Sequence, residues 1–220
     1  MLEERKLLMK EGTLVEATII AAPSSTKNAR KERDPEMHQS GKGNPWYFGM
    51  KAHIGVEAKS GLVPRVSGTA ANVADIAQTP ALLHGGEKEV YAEAGYLGVE
   101  KREEITTRSA GVEWHVAAQR GKVKAMAEGL VKEVTLLLEQ AKARVRARVE
   151  HPLPAPSGAA LRAACGRLSR SARLHVIKNL FKHRKVRYRG RSKNTAHLYS
   201  RFARANLVVA RRALLNTANA

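Results

Sequence analysis

The stretch Val90-Tyr91-Ala92-Glu93-Ala94-Gly95-Tyr96 decides the fold. Val90, Tyr91 and Ala92 read as the end of a buried strand, and Gly95 permits the sharp exit that leaves Glu93 at the carboxyl edge of that strand. Clefts in α/β sheets lie at that edge. A carboxylate so placed acts together with others, which sends the search outward for acids that can return to it. Two stand out: Glu16, inside the apolar strand Leu14-Val15-Glu16-Ala17-Thr18-Ile19-Ile20, and Glu150, at the end of a long basic helical pattern.

Before Glu93 the pattern reads as strands. In the first, Val15, Ala17 and Ile19 face one side while Leu14, Glu16 and Thr18 face the other. Residues 21–45 are polar, with Asp34-Pro35 as a turn signal, and read as a long loop whose Lys and Arg residues either grip phosphates or are simply solvated. From Trp46 to Val56 apolar residues alternate as Phe48, Met50, Ala52, Ile54 and Val56, a strand with one buried face. Lys59-Ser60-Gly61 turns it back into residues 62–69, where Pro64 requires an edge or a bulge. Asn72 is positioned to cap a helix reaching Leu83, bent or split at Pro80.

After Glu93 the spacing predicts a helix from Gly98 through Ile105, a short strand over 113–117 and a helix over 122–149. The apolar positions of that last helix include Leu130, Val134, Leu137, Leu138, Ala141, Val145 and Val149. The order is three strands with a hairpin, then helix, strand, helix, strand, helix. With acids on the first strand, at the end of the fourth and on the last helix, this is the layout of an RNase H-like α/β core, a mixed sheet flanked by helices. Trp46 and Trp114 are expected in the core rather than as base-stacking platforms.

Charge points to a polyanion. The chain of 220 residues carries a formal charge of +19, far more than solubility requires. More than half of its 39 Lys and Arg follow residue 119, and after Glu150 no acid occurs, so a near-neutral first half folds around its acids while the second half meets phosphates. No run approaches the ~18 apolar residues of a membrane span, and the charged opening Met1–Glu11 is not a signal peptide. A single cysteine, Cys165, fits a reducing cytoplasm, and the eight histidines lack zinc-ligand spacing.

Residues 153–174 change character to small residues, proline and arginine, and read as an insertion. Beyond them, 175–181 resume a helical pattern. A basic stretch follows with Lys182, Arg184, Lys185, Arg187, Arg189 and Arg191 around Tyr188, suited to phosphate contact. Residues 195–215 are amphipathic, with Leu198, Phe202, Ala205, Leu207, Val208 and Leu214 inward.

Five pieces occur in order: Gly12-Thr13-Leu14-Val15-Glu16-Ala17-Thr18, Gly43-Asn44-Pro45-Trp46-Tyr47-Phe48-Gly49-Met50-Lys51-Ala52-His53, Glu93-Ala94-Gly95-Tyr96, Val149-Glu150-His151-Pro152 and Lys185-Val186-Arg187-Tyr188-Arg189-Gly190. Together they resemble the catalytic domain of bacterial insertion-sequence transposases, the DDE group of the insertion-sequence-five kind, over residues 11–152 and 175–215. The resemblance implies an RNase H-like fold in which two aspartates and a glutamate hold two divalent ions, Mg²⁺ or Mn²⁺, that cut and join DNA at insertion-sequence ends and target, in the bacterial cytoplasm beside the nucleoid. It also leaves room for a homo-oligomer.

Carried over residue by residue, the family aspartates fall on Glu16 and Glu93, and the family glutamate on Glu150. Arg146 matches the family arginine, the family tyrosine is replaced by Ala143, and the family lysine position is Ser157, with Lys178 as its displaced counterpart. Arg146 and Lys178 are therefore expected to contact phosphate. The family also carries a helical region before its first catalytic strand, and only a short remnant, 1–11, precedes Gly12. The expected organisation is thus a truncated copy: remnant 1–11, catalytic core 12–152, insertion 153–174, and a basic helical part, 175–220, of the same domain.

Glu keeps the charge of Asp on a stem one methylene longer, so each substituted ligand overshoots by more than the ~0.5 Å that a catalytic site tolerates. Mg²⁺ accepts little distortion of its oxygen ligands. Metal binding with impaired turnover is the expectation. The competing reading is a non-catalytic DNA-binding remnant or an inhibitor of a full-length transposase. A basic RNA-associated protein would explain the charge but not the ordered motifs.

Overall fold

The computed structural model describes residues 12–41, 43–109, 111–150, 177 and 182–218. Six strands, β1 (Gly12–Ala21), β2 (His38–Gly41), β3 (Trp46–Glu57), β4 (Arg65–Ala70), β5 (Glu89–Ala92) and β6 (Glu113–Val116), form one mixed sheet. Its order is β2-β3-β1-β5-β6, with β4 also paired to β3. The β1–β3 pair is antiparallel, and the β1–β5 and β5–β6 pairs are parallel. Helices α1 (Thr79–Leu82), α2 (Glu103–Arg108), α3 (Arg120–Lys124), α4 (Leu130–Glu150) and α5 (Arg191–Ala218) flank it. This is the mixed, helix-flanked sheet of an RNase H-like α/β fold.

The core has two layers because β1 lies in the middle of the sheet and is covered on both faces. On one face Leu14 and Ile20 pack with Met50, Ile54 and Tyr91 beneath Leu198 and Phe202 of α5. On the other, Val15, Val90 and Ala92 meet Leu82 and Tyr96. Burying a side chain the size of Phe202 contributes ~1.5–3 kcal/mol, so α5 is part of this core. Gly55 shows how closely the second layer approaches. A methyl group there would lie 2.5 Å from the carbonyl oxygen of Leu82, so α1 rests directly on β3.

Several expectations need correction. β3 is buried on both faces rather than one, since His53 and Glu57 on its polar side are as enclosed as Met50 and Ile54. Trp46 is 72% exposed, because it lies at the end of β3 opposite the edge strand β2. The polar loop contains β2. No α-helix starts at Asn72: a 3₁₀ turn, Asp75–Gln78, leads into α1, with Pro80 in the first turn where its missing N–H costs nothing. The helix expected from Gly98 is divided into a 3₁₀ turn, Val99–Lys101, and α2. The one expected over 122–149 is divided into α3 and α4, the chain between them passing through Gly129 at φ 154°.

The apolar positions Leu130, Val134, Leu137 and Leu138 of α4 are exposed, as are Leu207 and Val208 of α5. Among the described residues β4 has β3 as its sole strand partner, an edge position and so one of the two placements, edge or bulge, that Pro64 allowed. The segments 1–11 and 153–174, and the side chain of Leu214, lie outside the described residues.

Candidate active site

The parallel register of β1 and β5 pairs Gly12 with Glu89, Leu14 with Tyr91 and Val15 with Ala92. The next residues along the two strands are Glu16 and Glu93. They therefore lie side by side where β5 ends, Glu93 just beyond its last residue and Glu16 within β1, which runs on to Ala21. Glu16 is opposite Ile54 in β3, on the Leu14 side of the sheet. Glu93 is extended, at φ −74° and ψ 169°, and its carbonyl accepts from the amide of Tyr96 at 3.0 Å, which closes a 3₁₀ turn over Ala94–Tyr96.

Around this edge lie groups that pattern reading did not single out. Tyr96 is 2% exposed. Burial raises its phenol far above the ordinary tyrosine range, and the charges of Asp75, Glu16 and Glu93 raise it further, so it stays neutral beside three carboxylates. Asp75 pairs with Lys51 at 2.9 Å, and Lys51 also donates to the carbonyl of Val73 at 2.8 Å. The ring of His53 lies 3.9 Å from the same Asp75 oxygen and 2.7 Å from the hydroxyl of Thr69. Burial pushes its pKa down to about 4, against the opposing pull of Asp75, so His53 is neutral at pH 7. Lys51 thus offsets Asp75. The available signal was Lys51, His53 and Glu57 at period two within an apolar strand.

α4 is held at this end of the sheet by polar bonds. The Glu139 carboxylate accepts from the amide of Ala118 at 3.0 Å, and Lys142 donates to the carbonyl of Val116 and to Glu139, both at 2.9 Å. Val145 then packs against the layer containing Leu14 and Tyr91. Glu150 is the last residue of α4, whose side chains are described as far as Val145. The side chains of Arg146 and Glu150, and all of Lys178, lie outside the described residues.

The basic stretch runs beside the end of β1. Ala21 donates to the carbonyl of Arg184 at 3.1 Å and accepts from the amide of Val186 at 2.9 Å. Lys182, Arg184, Lys185, Arg187, Arg189 and Arg191 are all exposed. The turn that carries them is built on buried Asn194. Its side-chain oxygen accepts from the amides of Arg187 and Tyr188 at 3.1 and 3.2 Å, and its nitrogen donates to the carbonyls of Tyr188 and Gly190 at 2.7 and 2.6 Å.

The polar loop clasps the same turn. Asp34 accepts from the amide of Gly190, and Glu36 from that of Arg191, each at 2.7 Å, which caps α5. Between loop and turn lies a cavity of about 410 Å³ whose lining includes Arg30, Arg33, Arg187 and Arg189.

Among the described residues, one group brings three potential metal ligands within 4.8 Å of one another: Glu89, Glu113 and His115. It lies at the opposite end of the parallel strands, four residues before Glu93, or ~13 Å at strand rise. Tyr91 donates to Glu89 at 2.7 Å and stacks on His115 at 4.7 Å.

No solved structure matches the chain. A family model described as a transposase DDE domain matches residues 8–153, about two thirds of the chain. That span contains β1 with Glu16, β5 with Glu93 directly after it, and α4 ending at Glu150. Such domains are metal-dependent and work on DNA, and the chain belongs to the DDE transposase family.

Proposed function

We propose that the chain is a strand-cutting and strand-joining domain of an insertion-sequence transposase, of the insertion-sequence-five kind, in which Glu16, Glu93 and Glu150 hold Mg²⁺ or Mn²⁺. The register that sets Glu16 beside Glu93 carries this reading. The donor chemistry fits, because carboxylates on adjacent strands offer the hard oxygen ligands that these ions prefer. When bound, the ions would supply charge stabilisation for the attacking and leaving oxygens of a phosphodiester. The chain's own residues position the substrate: Lys182, Arg184, Lys185, Arg187, Arg189 and Arg191 hold the DNA backbone, joined by Arg146 and Lys178. Neutral Tyr96 closes the apolar side of the edge.

The domain boundaries follow from the same reading, with a core over 12–152, an insertion over 153–174 and a basic part, 175–220, of one domain. Leu198 and Phe202 support that unity, since α5 packs into the core. A DNA partner places the protein with the nucleoid, in the bacterial cytoplasm.

The longer glutamate stems favour a second reading, a DNA-binding remnant or an inhibitor of a full-length transposase. A plasmid-nicking assay in Mn²⁺ separates the two. Nicking that disappears in Glu16→Gln and in Glu93→Gln supports the first. Failure to nick even in Glu16→Asp/Glu93→Asp, with DNA binding retained, leaves the second.

A further inference from the structure

The β2–β3 hairpin carries an indole that the core does not use. Trp46 is 72% exposed, although its backbone is fixed in the ladder opposite Gly41. A methyl group at Gly41 would lie 3.9–4.0 Å from three carbons of the six-membered ring, Cδ2, Cε2 and Cζ2. Similar distances to three adjacent ring atoms mean that a face of the indole, not its edge, is turned to Gly41. The opposite face is therefore open to solvent.

Its surroundings are basic. Trp46 and Phe48, two residues apart in β3, share one side of the sheet, and the guanidinium of Arg33 lies 5.6 Å from the centre of the Phe48 ring. Arg33 in turn lines the cavity that contains Arg30, Arg187 and Arg189. Residues 38–48 contain no acid, and the acids that precede them in the polar loop, Asp34 and Glu36, are engaged in capping α5. Ile54, the register partner of Glu16, is on the same side of β3 as Trp46 and eight residues from it, ~27 Å at strand rise. Between them Gly49 is paired to Ala21, where the basic turn joins β1. The acids, the basic turn and the indole thus follow one another along β1 and β3.

We propose that the open face of Trp46 stacks on an unpaired base of the DNA that the arginines hold, an inference that rests on the reading of the chain as a DNA-processing domain. Bases inside a duplex are covered on both faces by their neighbours, so an indole with one free face takes a base that has lost its stack. The contact is indifferent to sequence, because every base has a π-face. The neighbouring guanidinium groups supply the phosphate contacts that an isolated aromatic ring lacks. The separation from Glu16 puts this base well away from the nucleotide being cut, so Trp46 holds the strand without touching the reacting atoms.

Fluorescence titration of the full chain tests it with two probes, a duplex carrying a single-stranded oligothymidine tail and the same duplex with blunt ends. The chain has two tryptophans, so Trp114→Phe leaves Trp46 as the sole indole. The tailed probe should quench its emission and shield it from acrylamide, and the blunt probe should do neither. Trp46→Ala should bind the tailed probe roughly 5- to 100-fold more weakly than the wild-type chain. Its affinity for the blunt duplex, its salt slope and its melting temperature should not change, and Trp46→Tyr should recover most of the lost binding. Tailed DNA that binds without quenching Trp46, or that binds Trp46→Ala as tightly as wild type, would overturn the proposal and leave the DNA reading standing. Equal quenching by both probes would overturn the unpaired base. A wild-type chain that binds neither probe would overturn the proposal and the DNA reading together.

Discussion

Val15 and Ala92 are register partners across the parallel β1–β5 pair, and this one pairing sets Glu16 and Glu93 side by side at the carboxyl end of β5. Both carry the longer acid where the resemblance places aspartate. A displacement on the order of 1 Å at a reacting centre can cost about 100-fold in rate. Glu16→Asp/Glu93→Asp should therefore raise Mn²⁺-dependent nicking on the order of 10- to 100-fold, with DNA affinity unchanged. A rate that stays flat would place the obstacle elsewhere than stem length.

Asn194 holds the basic turn with four hydrogen bonds from one buried amide. Removing the side chain leaves backbone donors and acceptors without partners, at ~1–3 kcal/mol for each buried group. Asn194→Ala should destabilise the chain by roughly 2–4 kcal/mol in urea unfolding. Asp34→Ala, which removes one α5 cap contact, should cost about 1 kcal/mol. Both should weaken DNA binding because the arginines lose their common frame.

Salt dependence reads the basic stretch directly. Each phosphate neutralised on duplex DNA contributes ~0.9 to the slope of log K against log salt. Arg184→Ala/Arg187→Ala should lower that slope by about 2. A slope that does not move would mean that these side chains do not meet the backbone of the DNA.

Acid should destabilise the fold through two buried imidazoles. Burial pushes both His53 and His183 down to about 4 from an ordinary 6.5, and the charges of His197, Arg201 and Arg187 add to the effect at His183. Between pH 6.5 and about 4 the unfolded chain therefore binds protons that the folded chain refuses. Stability from these groups is complete above pH 6.5 and is lost as pH falls towards 4. Urea midpoints should fall from pH 7 to pH 5, and less steeply in His183→Gln. A midpoint independent of pH would contradict both assignments.

Much of this was legible because the deciding signals are local. Alternation in residues 46–56 and the apolar run before Glu93 give strands, and Pro64 limits its strand to an edge or a bulge. Glu16 and Glu93 could be matched because the ordered motifs of the resemblance assign both to one site. What escaped depended on distant partners. Period two marked the even residues of β3 as buried but could not show that α1 covers the other side, where His53 and Glu57 are equally enclosed. Helical spacing in α4 placed Val145 inward, as found, but not Leu130, Val134, Leu137 and Leu138, because there the inward side is chosen by Glu139 and Lys142 bonding at the end of β6. The polar loop read as either a phosphate grip or a solvated segment, yet its Asp34 and Glu36 are fastened to the start of α5, more than 150 residues away.

The most direct test is a thermal melt with and without Mn²⁺, run on three chains: wild type, Glu16→Gln/Glu93→Gln and Glu89→Gln/Glu113→Gln. An ion that binds only the folded state stabilises it by roughly 2.7 kcal/mol at a hundredfold excess over its Kd. If Glu16 and Glu93 hold the metal, the wild-type chain and the Glu89→Gln/Glu113→Gln variant gain stability together, and Glu16→Gln/Glu93→Gln gains none. A shift that survives in Glu16→Gln/Glu93→Gln but vanishes in Glu89→Gln/Glu113→Gln would move the metal to the opposite end of the strands and contradict the catalytic assignment.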